Sequence, residues 1–251
     1  MVDTHCHIYK EYYDDIPKLV EQIKKVGIKK IIVNGCDMKS NMEVLELVKE
    51  YDIVYGAIGF HPTELTTNDD EMISFLEAHI NDNKIVALGE IGLDYHYDNT
   101  DKLRQYAAFK KQLELAEKYK KPVIVHSRDA IWDTYNIMSR YNLKGSIHAF
   151  SGSAEMAQAF IKLGYYIGVG GVCTYKNAKN IVNVIENIPL AYILLETDSP
   201  YLTPDPFRGQ TNTPANIPII AKKVSEIKNV SLPKVVKDTT TNANQLFDFW
   251  W

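Results

Sequence analysis

The chain is poor in several features that define whole classes of protein. Its 251 residues include three cysteines, Cys6, Cys36 and Cys173, an odd and scattered set with no Cys-x-x-Cys spacing. That argues against a disulfide framework or a thiolate zinc site and suits a reducing compartment. No run of about 18 apolar residues occurs, and the opening Met-Val-Asp-Thr-His-Cys-His has neither the basic nor the apolar region of a secretory leader. A soluble cytoplasmic protein without a membrane partner is expected. Excess positive charge is also missing: the formal net charge is −4, so a polyanionic substrate would have to be held by local groups rather than by the global field. Arginine is scarce, with only Arg104, Arg128, Arg140 and Arg208. There is no low-complexity segment, Gly/Ser linker or short repeat, and one domain over 1–251 is expected.

What is present is alternation. Short β-branched apolar runs at 2–7, 30–35, 53–59, 84–90, 122–126, 145–148, 165–169 and 192–197 are separated by stretches of helical period. Segment 101–119 is predicted as an outer helix with Leu103, Ala107, Lys110 and Leu113 near its inward face. Two further helices are predicted after the eighth strand, 214–229 opened by Pro214 and 232–247 with Ser231 as N-cap. An α/β fold of the (β/α)8 TIM-barrel class with extra C-terminal helices fits this order. An open doubly wound sheet would show the same alternation, but the unusual polar residues favour the barrel. Nearly all of them sit at carboxyl ends of strands, the rim where barrel enzymes gather their chemistry.

His5 and His7 flank Cys6 on the first strand; alternation puts both imidazoles on one face, about 7 Å apart along the backbone, with Cys6 turned to the core. One metal could take both imidazoles. Glu90 follows an apolar run between two glycines, and a buried carboxylate there needs either a salt-bridge partner or a metal. Its two oxygens could bridge two ions. His126, His148 and Asp198 each end a different strand, so five such residues, with the second histidine beside the first, converge on one rim if the barrel closes. His61, before Pro62, extends that rim and suits contact with substrate; the alternative is a hydrogen bond to its own loop. His79 is read as solvated, and His96 as either a substrate contact or part of a surface turn. Arg128 and Arg208 lie in βα loops, where a guanidinium fork suits phosphate oxygens, although Arg128 could instead pair with Asp129. The terminal Phe-Asp-Phe-Trp-Trp is expected to dock on the barrel bottom.

At these residues the chain resembles the TatD family of metal-dependent deoxyribonucleases, within the amidohydrolase-like barrels. The matching stretches are Val-Asp-Thr-His-Cys-His, Gly-Phe-His-Pro, Gly-Glu-Ile-Gly-Leu-Asp-Tyr, Val-His-Ser-Arg-Asp-Ala, His-Ala-Phe-Ser-Gly, Leu-Glu-Thr-Asp-Ser-Pro-Tyr-Leu, Arg-Gly-Gln-Thr-Asn-Thr-Pro and Asn-Ala-Asn-Gln-Leu-Phe, in order along the chain. Ala149 departs from the cysteine common there, which affects no ligand. The resemblance implies two divalent ions, zinc, manganese or magnesium. His5, His7, Glu90 and Asp198 would hold one, and Glu90, His126 and His148 the other. It also implies phosphodiester hydrolysis, often 3′-to-5′ on single-stranded DNA. Asp198 would then accept the proton of the attacking water, with Glu90 and His61 as further catalytic groups and His61, Arg128 and Arg208 binding substrate. Hydrolysis of an ester, amide, lactone or aminoacyl-tRNA bond is the competing expectation, and a non-catalytic binding protein the third.

Overall fold

Strands that are buried on both faces must be covered on both, and this sequence supplies eight of them. In the computed structural model, which describes residues 1–65 and 68–249, they are β1 (Val2–Cys6), β2 (Lys30–Asn34), β3 (Val54–Ile58), β4 (Ile85–Asp94), β5 (Val123–Arg128), β6 (Gly145–Ile147), β7 (Tyr165–Val169) and β8 (Ile193–Leu195). All neighbours pair in parallel, in the order β1 to β8. Helices α1 (Ile16–Lys25), α2 (Met38–Glu50), α3 (Asp69–His79), α4 (Lys102–Tyr119), α5 (Ile131–Met138), α6 (Ala154–Lys162) and α7 (Lys179–Asn187) alternate with the strands, and α8 (Ile217–Lys228) and α9 (Leu232–Phe247) follow. This is a (β/α)8 barrel. None of the helices among the described residues is long and apolar enough to cross a membrane.

The ring closes between β1 and the segment after β8. His7 N donates to Ser199 O at 2.7 Å, Asp198 N to His5 O at 2.9 Å, and Thr197 Oγ1 to the buried Asp3 carboxylate at 2.5 Å. One large apolar cluster lies between barrel and helices; a smaller one, including Ile32, Tyr55, Ile124 and Leu194, is covered from below by Ala243, Leu246, Phe247 and Phe249. Asn242 of α9 donates to Leu190 O at 2.9 Å and Ile193 O at 2.8 Å, pinning the helix to the start of β8. Phe249 docks on Tyr55 with ring centroids 4.7 Å apart; Trp250 and Trp251, the rest of the expected aromatic plug, lie outside the described residues.

Two local expectations change. Pro214 opens a single tight turn, Pro214–Asn216, and the regular helix starts only at Ile217. On α4 the inward face runs through Gln105, Ala108, Phe109, Gln112, Leu113 and Ala116, while Leu103 is 83% exposed. The two glutamines face inward because loop backbone satisfies them. Gln112 accepts from Phe60 N at 2.9 Å and donates to Phe60 O at 3.1 Å; Gln105 accepts from Asp94 N at 2.8 Å and donates to Asp94 O at 2.9 Å. A polar side chain is buried readily once its amide is paired at both ends.

Candidate metal centre

The carboxyl ends of the strands bring six side chains together around Glu90. His5 lies in β1 and His7 just after it, His126 is in β5, His148 follows β6, Asp198 follows β8, and His61 follows β3. Sequence alternation accounts for the imidazole pair on β1. Glu90 is presented differently: β4 does not end there but runs on to Asp94, and its register with β5 shifts between Leu88 and Ile91. An extra residue in a strand re-aims a side chain. A second shift, between Asp3 and Cys6 of β1, brackets His5.

Glu90 divides its oxygens between two sets of histidines. Oε2 is 3.3 Å from His5 Nε2 and 3.6 Å from His7 Nε2. Oε1 is 3.0 Å from His126 Nδ1, 3.3 Å from His148 Nε2 and 3.6 Å from His61 Nε2. Asp198 Oδ1 joins the first set, 3.6 Å from His5 Nε2 and 3.5 Å from His7 Nε2, and the two β1 imidazole nitrogens are 3.1 Å apart. His5 and His148 stack with ring centroids 3.7 Å apart, which joins the sets into one cluster.

Outside the cluster, further groups orient the imidazoles. Asn34 O lies 3.0 Å from His7 Nδ1, Asp94 Oδ2 lies 3.0 Å from His126 Nε2, and Glu196 Oε1 lies 3.3 Å from His148 Nδ1 while accepting from Ala149 N at 2.5 Å. Such partners fix ring orientation and raise the basicity of the inner nitrogen. Asp94 and Glu196 were not singled out in the sequence. A signal was there, since Asp94 and Glu196 are further carboxylates near the carboxyl ends of the strands that present Glu90 and Asp198. Cys36, also missed, sits with Sγ 3.9 Å from His7 Nδ1 and 3.8 Å from Glu90 Oε2, and burial raises its thiol pKa to about 11.

The charges are tightly interdependent. Burial alone would push Glu90 upward, but the surrounding histidines, His148 foremost, together with the His126 hydrogen bond hold it well below the usual carboxylate range. Asp198 is likewise lowered against its burial by His148 and His7. Burial lowers His61 to about 3, so this imidazole is neutral. His148 rises to about 9 despite burial, because Glu90, Glu196 and Asp198 surround it.

A cavity of about 780 Å³ opens over Glu90, bounded on its outer side by Tyr12, Tyr97, Arg128 and Tyr201. His61 lines this cavity, and its Nδ1 is 2.8 Å from Thr63 Oγ1. Arg128 faces the cavity from the end of β5, with its guanidinium carbon 5.9 Å from the Tyr97 ring. Asp129 bonds His96 at 3.1 Å instead, which makes His96 part of an exposed turn. Arg208 is outside the cavity lining, stacked 4.2 Å over the Tyr175 ring. His79 ends α3, half-exposed, 2.8 Å from Asp82.

The model of the TatD related DNase family matches residues 2–248. The chain belongs to this family. The TatD-related chain is similar to the uncharacterized metal-dependent hydrolase YabD of Bacillus subtilis, 39% identical over 254 residues that cover 98% of each chain. It is similar to YcfH of Escherichia coli, also named an uncharacterized metal-dependent hydrolase, at 33% identity over 98% of this chain and 95% of that one. The crystal structure of YjjV, a TatD homologue from Escherichia coli K12, superposes with a TM-score of 0.95 at 33% identity, covering 100% of this chain and 98% of that one. The TatD-related chain is therefore a metal-dependent hydrolase, and its donor set suits that chemistry. Imidazoles and carboxylates 3.0–3.6 Å apart match the edge of a coordination shell, since ligands about 2.0–2.2 Å from one ion are spaced about 3.3–3.6 Å. His5 Nδ1 is buried without a formed hydrogen bond and His148 Nδ1 has only Glu196 Oε1 at 3.3 Å, so the His5 ring in particular depends on what its Nε2 holds.

Proposed function

We propose that the protein is a two-metal phosphodiesterase acting on DNA, with single strands or 3′ ends as substrate. The observation that carries this reading is the split of Glu90, with Oε2 nearest His5 and His7, which also face Asp198, and Oε1 nearest His126, His148 and His61. In the proposed assignment His5, His7, Glu90 and Asp198 hold one divalent ion, and Glu90, His126 and His148 hold the other. Bound there, the ions would lower the pKa of a water and neutralise charge on the phosphoryl group.

The protein's own groups do the rest. Asp198, kept ionised by its histidine neighbours, is positioned to accept the water's proton. Neutral His61 reaches the Oε1 side of Glu90, where it orients a phosphate oxygen without carrying charge of its own. Arg128 offers a guanidinium fork across the cavity. Asp94 and Glu196 hold His126 and His148 in place.

Substrate is decided by measuring kcat/KM against salt, for the parent and Arg128→Gln, on single-stranded DNA and on a neutral ester. Against an acidic background only a few local contacts hold the strand. The DNA reaction should therefore fall with salt with a slope of about one to three contacts, and Arg128→Gln should flatten it by roughly one. Salt-insensitive DNA cleavage, or turnover of the ester alone, would count against the reading.

A further inference from the structure

A second cavity, of about 350 Å³, adjoins the first between the loops after β6, β7 and β8, and the two share Ala149, Ser151, Val172, Asp198 and Leu202. Its walls are apolar on one part, from Phe150, Val172, Ile181 and Leu202, with the amides of Asn177 and Asn180 and the carboxylates of Glu196 and Asp198 as polar lining. Asn180 donates to both Ser151 O and Gly152 O at 2.8 Å, which ties α7 to the loop after β6 and fixes the width of the cavity.

Gly170 keeps part of this space open. Its backbone is extended, at φ −111° and ψ −167°, so its conformation does not require glycine. A Cβ built there would meet nothing closer than Glu196 O at 3.5 Å and Glu196 Cγ at 3.8 Å, ordinary contacts. Gly168 and Gly171 differ, because a Cβ at either would collide with the Glu196 carboxylate or with Leu202 O. Neither backbone geometry nor packing therefore excludes a side chain at Gly170, which lines the cavity.

Glu196 and Asp198 line the cavity itself, and the cations on this side of the mouth stand on the loops around it. Segments 171–180 and 201–210 carry Lys176, Lys179 and Arg208 against a single acid, Asp205. Segments 94–104 and 128–133, across the mouth, carry Asp94, Asp98, Asp101, Asp129 and Asp133 against Lys102, Arg104 and Arg128. A strand of nucleic acid held by Arg128 at the reacting phosphate would meet further cations on the first side, where the side cavity opens.

We infer that this cavity is a nucleobase subsite, receiving the base of a nucleotide that flanks the scissile phosphate. The inference rests on the phosphodiesterase reading. A base presents two flat apolar faces to apolar walls and a polar edge to amides, and cavities of this size suit small ligands. An acyl chain would fit the walls but would find no use for the three cations.

The test uses the metal-loaded protein and single-stranded oligonucleotides of equal length, with either a normal base or an abasic tetrahydrofuran unit at the first or second position from each end. With the parent, removing one particular base should lower kcat/KM roughly tenfold, as expected for one lost stacking contact. Gly170→Val should lower the base-bearing substrate to the abasic level and leave the abasic one unchanged, and Ala178→Leu, at another position of the lining, should do the same. As a readout independent of turnover, 2-aminopurine at the sensitive position should be quenched on binding the parent and much less on binding Gly170→Val. Equal cleavage of base and abasic substrates by the parent would overturn the subsite while leaving the phosphodiesterase reading intact, and so would an equal loss on both in Gly170→Val. Selective slowing of long-chain p-nitrophenyl esters in Gly170→Val would assign the cavity to an acyl group instead. No cleavage of any oligonucleotide would remove the phosphodiesterase reading, and the subsite with it.

Discussion

The two ends of this barrel handle buried polar groups in opposite ways. At the amino-terminal end the long cations are drawn to backbone: Lys84 Nζ donates to Val48 O at 2.8 Å and Tyr51 O at 2.6 Å, Lys121 Nζ to Ile85 O at 2.7 Å, and Asn242 ties α9 to β8. Lys30 Nζ lies over the rings of Tyr55 and Phe249, at 5.4 and 4.5 Å, and the end is closed by Phe247 and Phe249. At the carboxyl-terminal end, imidazoles and carboxylates face one another around Glu90, with Arg128 kept to the outer wall of the cavity. One end is complete without a ligand, whereas the other concentrates groups that compete for protons and that a divalent ion would satisfy better. Stability is built into the first end and chemistry into the second.

The strongest way to break this contrast is to remove Glu90. Glu90→Ala should lower turnover on the order of 10³-fold or more, since both sets lose their shared carboxylate. The metal-free protein should keep its circular dichroism, because little of the packed core is lost. Normal activity with normal metal content would end the two-metal assignment.

Asp94→Asn probes the orienting layer. It keeps the shape but weakens the hold on His126, so metal affinity at the Oε1 side should fall about 10- to 100-fold, while the site formed by His5, His7 and Asp198 retains its metal. Titration of the metal-free variant with zinc, followed calorimetrically, would show one weakened and one unchanged step. Equal weakening of both steps would contradict the partition.

The smallest effect is expected from the bottom. Asn242→Ala strands the carbonyls of Leu190 and Ile193 and should cost about 1–3 kcal/mol in chemical denaturation, with turnover per folded molecule unchanged. A loss of activity beyond the folded fraction would mean that the two ends are not separable.

Much of this was legible from the order of residues. All eight strands fall within a few residues of the expected runs, because apolar β-branched segments buried on both faces leave little freedom of placement. Glu90 and the six side chains around it were visible as polar interruptions at strand ends. What escaped depends on partners far away in sequence. Nothing in Gln105 and Gln112 announces a buried face until the loop amides they bind are known. Nor does Glu90 reveal that its strand continues past it, since the register shift is set by pairing with β5. Arg208 stands in the expected loop but lies over Tyr175, a contact that loop sequence alone does not foretell.

The seam of the ring adds a constraint of timing. The hydrogen bonds that join β1 to the chain after β8 link positions up to 194 residues apart, and they come from the same few residues that bring His5, His7 and Asp198 together. The Oε1 set, by contrast, is drawn entirely from residues 61 to 148. During synthesis from the amino terminus, the second group can assemble while the chain is still growing, but the first must wait for residues 193–199 to emerge and join the strand that was made first. The earliest histidines to leave the ribosome are thus among the last to find their partners.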